Sequence, residues 1–332
     1  MAHDAPAPLR EGDRRLTRFR ADFGALIGAP ARFGVAVSGG ADSLALLLLA
    51  DAAFAGAVRA ATVDHRLRPE AAAEAAMVAA VCAARGIPHR ILVRPENRPV
   101  AGQGGARELR YALLGAWAEE EGLADVATAH HRDDVAESFL LRAARGAGVS
   151  GLAAMRAVAP WPTGAPHRAR VVRPLLGWTR AELAAIVADS GLTPAEDPSN
   201  ADPHYDRTHA RALLRREPWL RPERLARTAA NLADADSALQ WLADEAWRSR
   251  AVSATAGQVT IDVAGLPRET RRRLAARAIG CLNPGAGGEG IDRLVDRLDA
   301  GAAASLAGVR AGPGACWRFT LAPPRRNAQK GR

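Results

Sequence analysis

The sequence predicts a doubly wound α/β domain built on a parallel sheet, followed by a smaller, mainly helical C-terminal domain. Three observations predict it. Strand-like apolar runs alternate with helix-length runs from residue 33 to about 191, the pattern of βα units that pair in parallel. Chemically distinctive residues, Ser38, Asp64 and the pair His130–His131, fall where those strands end, which is where such sheets bind ligands. Near Arg216 the alternation stops and one long helical stripe begins.

The elements follow in order. FGVAVS (33–38) reads as a buried strand and a leucine-rich helix runs from Asp42 to about Ala55. VRAATVDH (58–65) is the next strand, and residues 69–86 form an alanine-rich helix that stops on a glycine. HRILV (89–93) is a short strand, residues 105–122 a helix, ADVATAHH (124–131) a strand and DDVAESFLLRAAR (133–145) a helix. Residues 146–173, rich in Gly, Pro and Ala, are expected to be irregular. A helix over 179–191 leads to the loop EDPSNADPHYDR, and Leu225, Ala229, Leu232, Leu239, Leu242 and Ala246 mark one face of a helix over 222–247. VTIDVAGL (259–266) and RRRLAARAIGCL (271–282) suggest a small mixed domain. The organisation read here is an N-terminal extension over 1–30 with its first part disordered, a catalytic domain over 31–216, a smaller domain over 217–322, and a disordered tail over 323–332.

Composition narrows the function. The longest apolar stretch, Leu44 to Val58, is interrupted by Asp51 and too short to span a bilayer. The N-terminus mixes charge with proline and lacks the apolar core of a secretion signal. Three scattered cysteines, with no Cys-x-x-Cys, argue against disulfides, zinc or an iron–sulfur cluster, and a reducing cytoplasm is the simplest home. The net charge of +9 favours a polyanionic partner and is carried by arginine, since Lys330 is the only lysine. A genomic bias toward arginine on a solvated surface is the plainer alternative.

SGGADS (38–43) joins the first strand to its helix. It is no Walker loop, which needs a lysine after its glycines, and it lacks the spacing of a dinucleotide fingerprint. Ser38, Gly39, Gly40, Ala41 and Ser43 are placed to aim N–H and O–H donors at a phosphate chain. Asp42 would repel that chain unless a cation lay between them, which implies magnesium. A simple N-cap turn is the alternative.

SGGADS resembles the pyrophosphate-binding loop of the PP-loop ATPases, the adenine nucleotide alpha hydrolase-like enzymes that split ATP between its α- and β-phosphates. ARELRY (106–111), TAHHRDDVAESFLLRAARGAGVSGLAAM (128–155), VRPLLGWTRAEL (172–183) and EDPSNADPHYDRTHAR (196–211) are similar to successive signatures of the tRNA(Ile)-lysidine synthetase family. The resemblance implies that ATP adenylates the wobble cytidine of a CAU anticodon in tRNA(Ile), that free L-lysine displaces AMP at C2, and that decoding changes from AUG to AUA. It implies lysine binding by Asp134 and Glu137, catalytic parts for Asp42, His131, Arg110 and Arg207, and contact of Asp64 with adenosine. Arg107, Arg145, Asn200 and Arg211 would hold phosphate or tRNA, with ATP and Mg2+ as cofactors.

Read without the resemblance, those residues keep alternatives. Asp134 and Glu137 lie at i, i+3 on one helix face, where a substrate with two ammonium groups needs acids, but acids there also complement the helix dipole. Asp133 is a cap or a ligand. His130 and His131 are hydrogen-bonding partners, proton carriers or, with Asp133 and Asp134, a metal site. Each arginine could simply be solvated. Thr208 departs from the asparagine usual in the family. Arg215, Arg216, Arg221, Arg224, Arg227, Arg268 and Arg271 to Arg273 suit RNA, and Trp219, Trp241 and Trp247 could stack on bases, although their spacing more often serves a core. A related tRNA-thiolating enzyme and a non-catalytic, ATP-gated RNA-binding protein are the rival readings. The oligomeric state stays open, a homodimer included.

Overall fold

The computed structural model describes residues 9, 12–66, 70–95, 102–153, 155–162, 168–195, 206–255, 257–286 and 288–322. Asn200, the tail and most of the residues before Gly12 lie outside these, so the expected terminal disorder and the place of Asn200 do too. The chain divides into two compact units, Met1–Ala233 and Asp234–Arg332.

The first unit holds a six-stranded sheet in the order β3-β2-β1-β4-β6-β5, with β1 (Phe33–Ala36), β2 (Val58–Asp64), β3 (His89–Val93), β4 (Asp125–Ala127), β5 (Val158–Pro160) and β6 (Arg170–Val172). The first four strands and β6 pair in parallel. β5 closes one edge antiparallel to β6, so the sheet is not wholly parallel as expected. Residues 146–173 are also less irregular than their composition suggests: besides both strands they form α6 (Val149–Leu152). Each strand has three residues, too few to display a period, and Pro160 sits at an edge where no N–H is needed.

The chain leaves β1 toward β2 and β3 on one side, then returns through β4 to the other. The carboxyl ends of β1 and β4 therefore flank the switch point, where a crevice forms. Between β1 and β2 runs α2 (Ala41–Ala53), with Ser43 to Ala50 all buried. A helix apolar on every side must be covered on every side. α1 (Arg14–Ile27) does part of this with Leu16, Phe19 and Phe23, and α7 (Arg180–Ser190) adds Leu183, Ile186 and Val187 to the same core. α3 (Ala71–Ala84) follows β2, and α4 (Gly102–Glu120) lies so close to β1 that a Cβ on Gly34 would meet the Trp117 ring at 2.9 Å. α5 (Arg132–Ala144) follows β4, and α8 (Asp206–Arg216) precedes α9 (Pro222–Arg250).

The sequence pattern changes at Arg216, but the contacts divide the chain inside α9. The first turns of that helix stay with the first unit, where the Ala233 carbonyl accepts from Arg156 at 3.4 Å. The second unit contains more sheet than its sequence suggests. β7 (Ala251–Ala254), β8 (Gln258–Asp262), β9 (Ala304–Leu306), β10 (Val309–Gly312) and β11 (Cys316–Leu321) form an antiparallel sheet in the order β7-β8-β11-β10-β9. Its inner face, with Val259, Ile261, Val309, Trp317 and Phe319, shares one core with α10 (Arg268–Leu282) and α11 (Ile291–Asp299). Trp247 packs against this core, but Trp219 and Trp241 are 70% and 62% exposed, against the core role their spacing favoured.

Candidate active site

The SGGADS turn opens α2 with no side-chain cap: Gly40 is the N-cap and makes no side-chain hydrogen bond. Gly39 has φ +87°, a conformation L side chains resist, although a Cβ there would make only ordinary contacts with Met77, Val78 and Ala195. The turn is closed by its own serines. Ser43 Oγ donates to the Gly40 carbonyl at 2.9 Å, accepts from Ser38 N–H at 3.1 Å and lies 3.2 Å from Ser38 Oγ. Ser43, read from sequence as a donor toward phosphate, is thus spent on the shape of the loop. The first-turn N–H groups of Ala41, Asp42 and Ser43 have no intrahelical partner and remain for an anion. Asp42 begins that turn and keeps a buried Oδ1 with no protein partner among the described residues.

β4 ends earlier than expected, at Ala127, and residues 128–131 lead from it to α5, with the Thr128 N–H still donating to the Val172 carbonyl at 2.9 Å. His131 is fully buried and caps α5: its Nδ1 accepts from Asp133 N–H at 3.2 Å, while Asp134 Oδ2 accepts from His131 N–H at 3.0 Å. Its Nε2 faces Asp42 Oδ2 at 3.4 Å and Asp134 Oδ2 at 3.5 Å, and its Nδ1 faces Asp133 Oδ2 at 3.3 Å. Burial alone would push the imidazole down. The bonds to Asp133 and Asp42 and the charge of Asp134 outweigh it and hold the pKa at about 9. The cap and the charge use the same nitrogen. As imidazolium, Nδ1 donates to Asp133; as neutral imidazole, it accepts the Asp133 N–H. Asp133 in turn is held at about 2, first by His131, and against its own burial also by the Arg180 N–H at 3.1 Å.

Glu137, one turn on, is 2% exposed and accepts from Arg211 Nε of α8 at 2.7 Å, while its Oε2 has no partner among the described residues. Burial would lower the Arg211 pKa, but Glu137 overcomes this and raises it. Arg211 is thus committed to the acidic side of the site rather than left open for phosphate. Asp42, Asp133, Asp134, Glu137, His131 and Arg211 make up one lobe.

The other lobe is basic. Arg107 and Arg110 of α4 lie 5.0 and 5.5 Å from the buried Tyr111 ring. Burial, then the charges of Arg107 and Arg207, push the Arg110 pKa down. Arg173, just beyond β6, is buried; burial, then Arg107 and Arg142, lower it, and its Nε has no partner among the described residues. Its other end donates to the Arg156 carbonyl at 2.8 Å. None of Arg107, Arg110, Arg173 and Arg207 meets a carboxylate among the described residues. His130 stands between the lobes. It bonds Thr128 Oγ1 at 2.9 Å, and burial, with Arg173, Arg110 and Arg107 working against Asp134, pushes it to about 3, so it is neutral at pH 7.

The remaining candidates fall as follows. Asp64, buried at the end of β2, accepts from Arg66 N–H at 2.9 Å and shapes that strand end. Arg145 lies exposed at the end of α5 and pairs with Asp206. No group of three or more His, Cys, Asp or Glu among the described residues is arranged to hold a metal, so the histidine–aspartate metal site is not formed. Arg173 and Asp133 were not singled out from sequence for the parts they take. Arg173 had a signal, since it directly follows a parallel strand on the side where ligands bind.

An ammonium-bearing molecule suits the acid lobe and a polyphosphate the basic one. Comparison with known proteins finds a family for the chain. The PP-loop domain family matches residues 11–217. A tRNA(Ile)-lysidine synthase of Zymomonas mobilis is 43% identical over 300 residues, 90% of this chain and 90% of that protein. One of Novosphingobium aromaticivorans is 44% identical over 318 residues, 95% and 96% of the two chains. Among solved structures, a U34-tRNA thiolase of Methanococcus maripaludis with a 4Fe–4S cluster has a TM-score of 0.52 at 17% identity, covering 66% of this chain and 80% of that one. That likeness concerns the fold alone.

Proposed function

The chain belongs to the tRNA(Ile)-lysidine synthases of the PP-loop family, and from that premise we propose how its own residues carry the reaction. It is a ligase that uses ATP to join lysine to tRNA(Ile). The observation that supports the division of labour is the meeting of an acid lobe and a basic lobe at the two histidines.

ATP lies along the uncapped start of α2, its phosphates on the free N–H groups and facing the arginines of the basic lobe. The unpartnered Asp42 Oδ1 fits a magnesium ion, which would neutralise phosphate charge there. The cytidine O2 of a CAU anticodon bonds to the α-phosphorus as the bond to the β-phosphate bridge breaks. Arg110, Arg173 and Arg207 offset the charge that builds on phosphorus. Lysine is held through ammonium by Asp134 and Glu137. An amine of lysine, once deprotonated, forms a bond to C2, the C2–O bond breaks, and AMP departs with the oxygen. Neither histidine serves well as the base at neutral pH. His131 is already charged and His130 holds protons too weakly. His131 instead keeps Asp42 and α5 in place.

Thiolation finds no support in the cysteines. Cys82 is buried, with its thiol pushed up to about 12 by burial, and no Cys-x-x-Cys exists. No helix among the described residues is long and apolar enough to cross a membrane, and the cytoplasm, where tRNA and free lysine meet, is the proposed location. The test supplies ATP, magnesium, radiolabelled lysine and tRNA transcripts with a CAU anticodon. Label entering the isoleucine species alone, with AMP released, is expected. No incorporation, or the same RNA product without lysine, would overturn the proposal.

A further inference from the structure

The arginines of the second unit are not equivalent. Those that sequence composition nominates for RNA are already neutralised. Arg268 pairs with Asp296 at 2.7 Å, Arg271 with Asp299 at 3.0 Å, Arg272 with Glu269 at 2.7 Å and Arg273 with Asp236 at 2.5 Å. The helix that supplies two of these acids, Asp296 and Asp299, shows why. In α11 the buried stripe is Ile291, Leu294, Val295 and Leu298, the acids at 292, 296 and 299 flank it toward α10, and the arginines at 293 and 297 flank it on the other side.

That other side lines a cleft of about 500 Å³ whose lining also includes Arg310 of β10 and Ser305 and Leu306 of β9. Arg297 Nε donates to the Ala303 carbonyl at 3.2 Å; none of the three arginines meets a carboxylate among the described residues. Two like charges at i, i+4 repel, and a third lines the same cleft, so the arrangement suits an anion. The outward face of the sheet continues the chemistry. Arg310 stands in register between Ser305 and Thr320, and Arg318 opposite Thr260. Arginines interleaved with hydroxyls are the groups that contact a nucleic-acid backbone.

We infer that the Arg293–Arg297–Arg310 cleft of the second unit is a binding site for the phosphate backbone of RNA, and that the paired arginines of α10 are not. This rests on the reading of the chain as a tRNA-modifying enzyme. The site is tested on the full chain with Arg293, Arg297 and Arg310 all changed to glutamine. The affinity for a tRNA transcript is measured against salt. Loss of three phosphate contacts lowers the affinity about tenfold or more near physiological salt and makes the salt dependence shallower by about two to three in log–log slope. ATP binding stays at the wild-type value and the thermal midpoint changes little, because the lost Arg297 bond to Ala303 and the relieved repulsion oppose each other. The triple Arg→Lys variant keeps the wild-type slope, as charge alone carries that readout. Arg268→Gln with Arg271→Gln lowers the thermal midpoint and leaves the slope unchanged.

An unchanged slope in the triple glutamine variant overturns the inference, as does loss of binding to vesicles of anionic lipid with tRNA affinity intact. Labelled-lysine incorporation by the wild type separates the two readings. Incorporation with an unchanged slope removes the cleft and leaves the function. A reduced slope without incorporation leaves the cleft and removes the function.

Discussion

Around His131 every carboxylate is already engaged by the chain: Asp42 and Asp133 by the imidazole, Asp134 by a backbone N–H, Glu137 by Arg211. Around His130 burial depresses the pKa first, and the arginines at 173, 110 and 107 add to this against Asp134; none of those arginines pairs with a carboxylate among the described residues. The acid lobe is therefore held by the fold and adds to its stability. The basic lobe is held against its own repulsion, and its missing partner is a polyanion. Removing an ion-paired group such as Glu137 from the first should unsettle the protein, whereas removing an arginine from the second should disable it without unsettling it.

The largest effect expected is in the basic lobe. Arg110→Met should lower lysine incorporation by about 100- to 1,000-fold, the scale for one electrostatic stabiliser, while the thermal midpoint holds or rises as repulsion from Arg107 and Arg207 is relieved. A midpoint that falls with activity would dissolve the contrast between the lobes. Next comes pH. The folded pKa of His131 is raised to about 9 from an ordinary 6.5. Its stabilisation is thus complete below the unfolded value and is lost as pH rises through about 9. At about 1.4 kcal/mol per pKa unit this amounts to about 3 kcal/mol. Urea midpoints from neutral pH upward should show the loss, and a His131→Gln variant should lack it; identical profiles would show that the charge lies elsewhere.

Glu137→Gln should cost about 2 kcal/mol in urea unfolding. Breaking a buried pair usually costs more, but Arg211 retains some access to solvent. No measurable loss would mean that Arg211 relaxes outward. Asp134→Asn is the smallest change. Asparagine still accepts the His131 N–H, so the cap survives and stability should fall by less than about 1 kcal/mol. The apparent KM for lysine should rise while ATP binding is spared. An unchanged lysine requirement would take Asp134 out of the lysine pocket.

Much of this was legible in the sequence, for physical reasons. Long βα alternation exposes its period, and Ser38, Asp64 and His130–His131 stood at the strand ends that the sheet gathers. The second-unit sheet was not legible. CWRFTL alternates over only six residues, and Val309 to Gly312 over four. The sequence also showed which side chains could be functional without showing which were already paired. Ser43 and Arg211 looked free and are engaged within the fold, while Arg173, which drew no reading of its own, keeps an Nε with no partner among the described residues. Partnership is decided by elements far apart in the chain, as when α8 brings Arg211 to α5.

The serine-closed turn before α2 also bears on how nucleotide capture should register as heat. Ser43 already ties Gly40 to Ser38, so binding need not order that segment, a step that costs about 1–2 kcal/mol per residue where a loop must be fixed. Capture at such a turn should show little unfavourable entropy in titration calorimetry. In Ser43→Ala that entropy should reappear while the enthalpy of phosphate contact remains, marking the hydroxyl as a device that sets the loop before the nucleotide arrives.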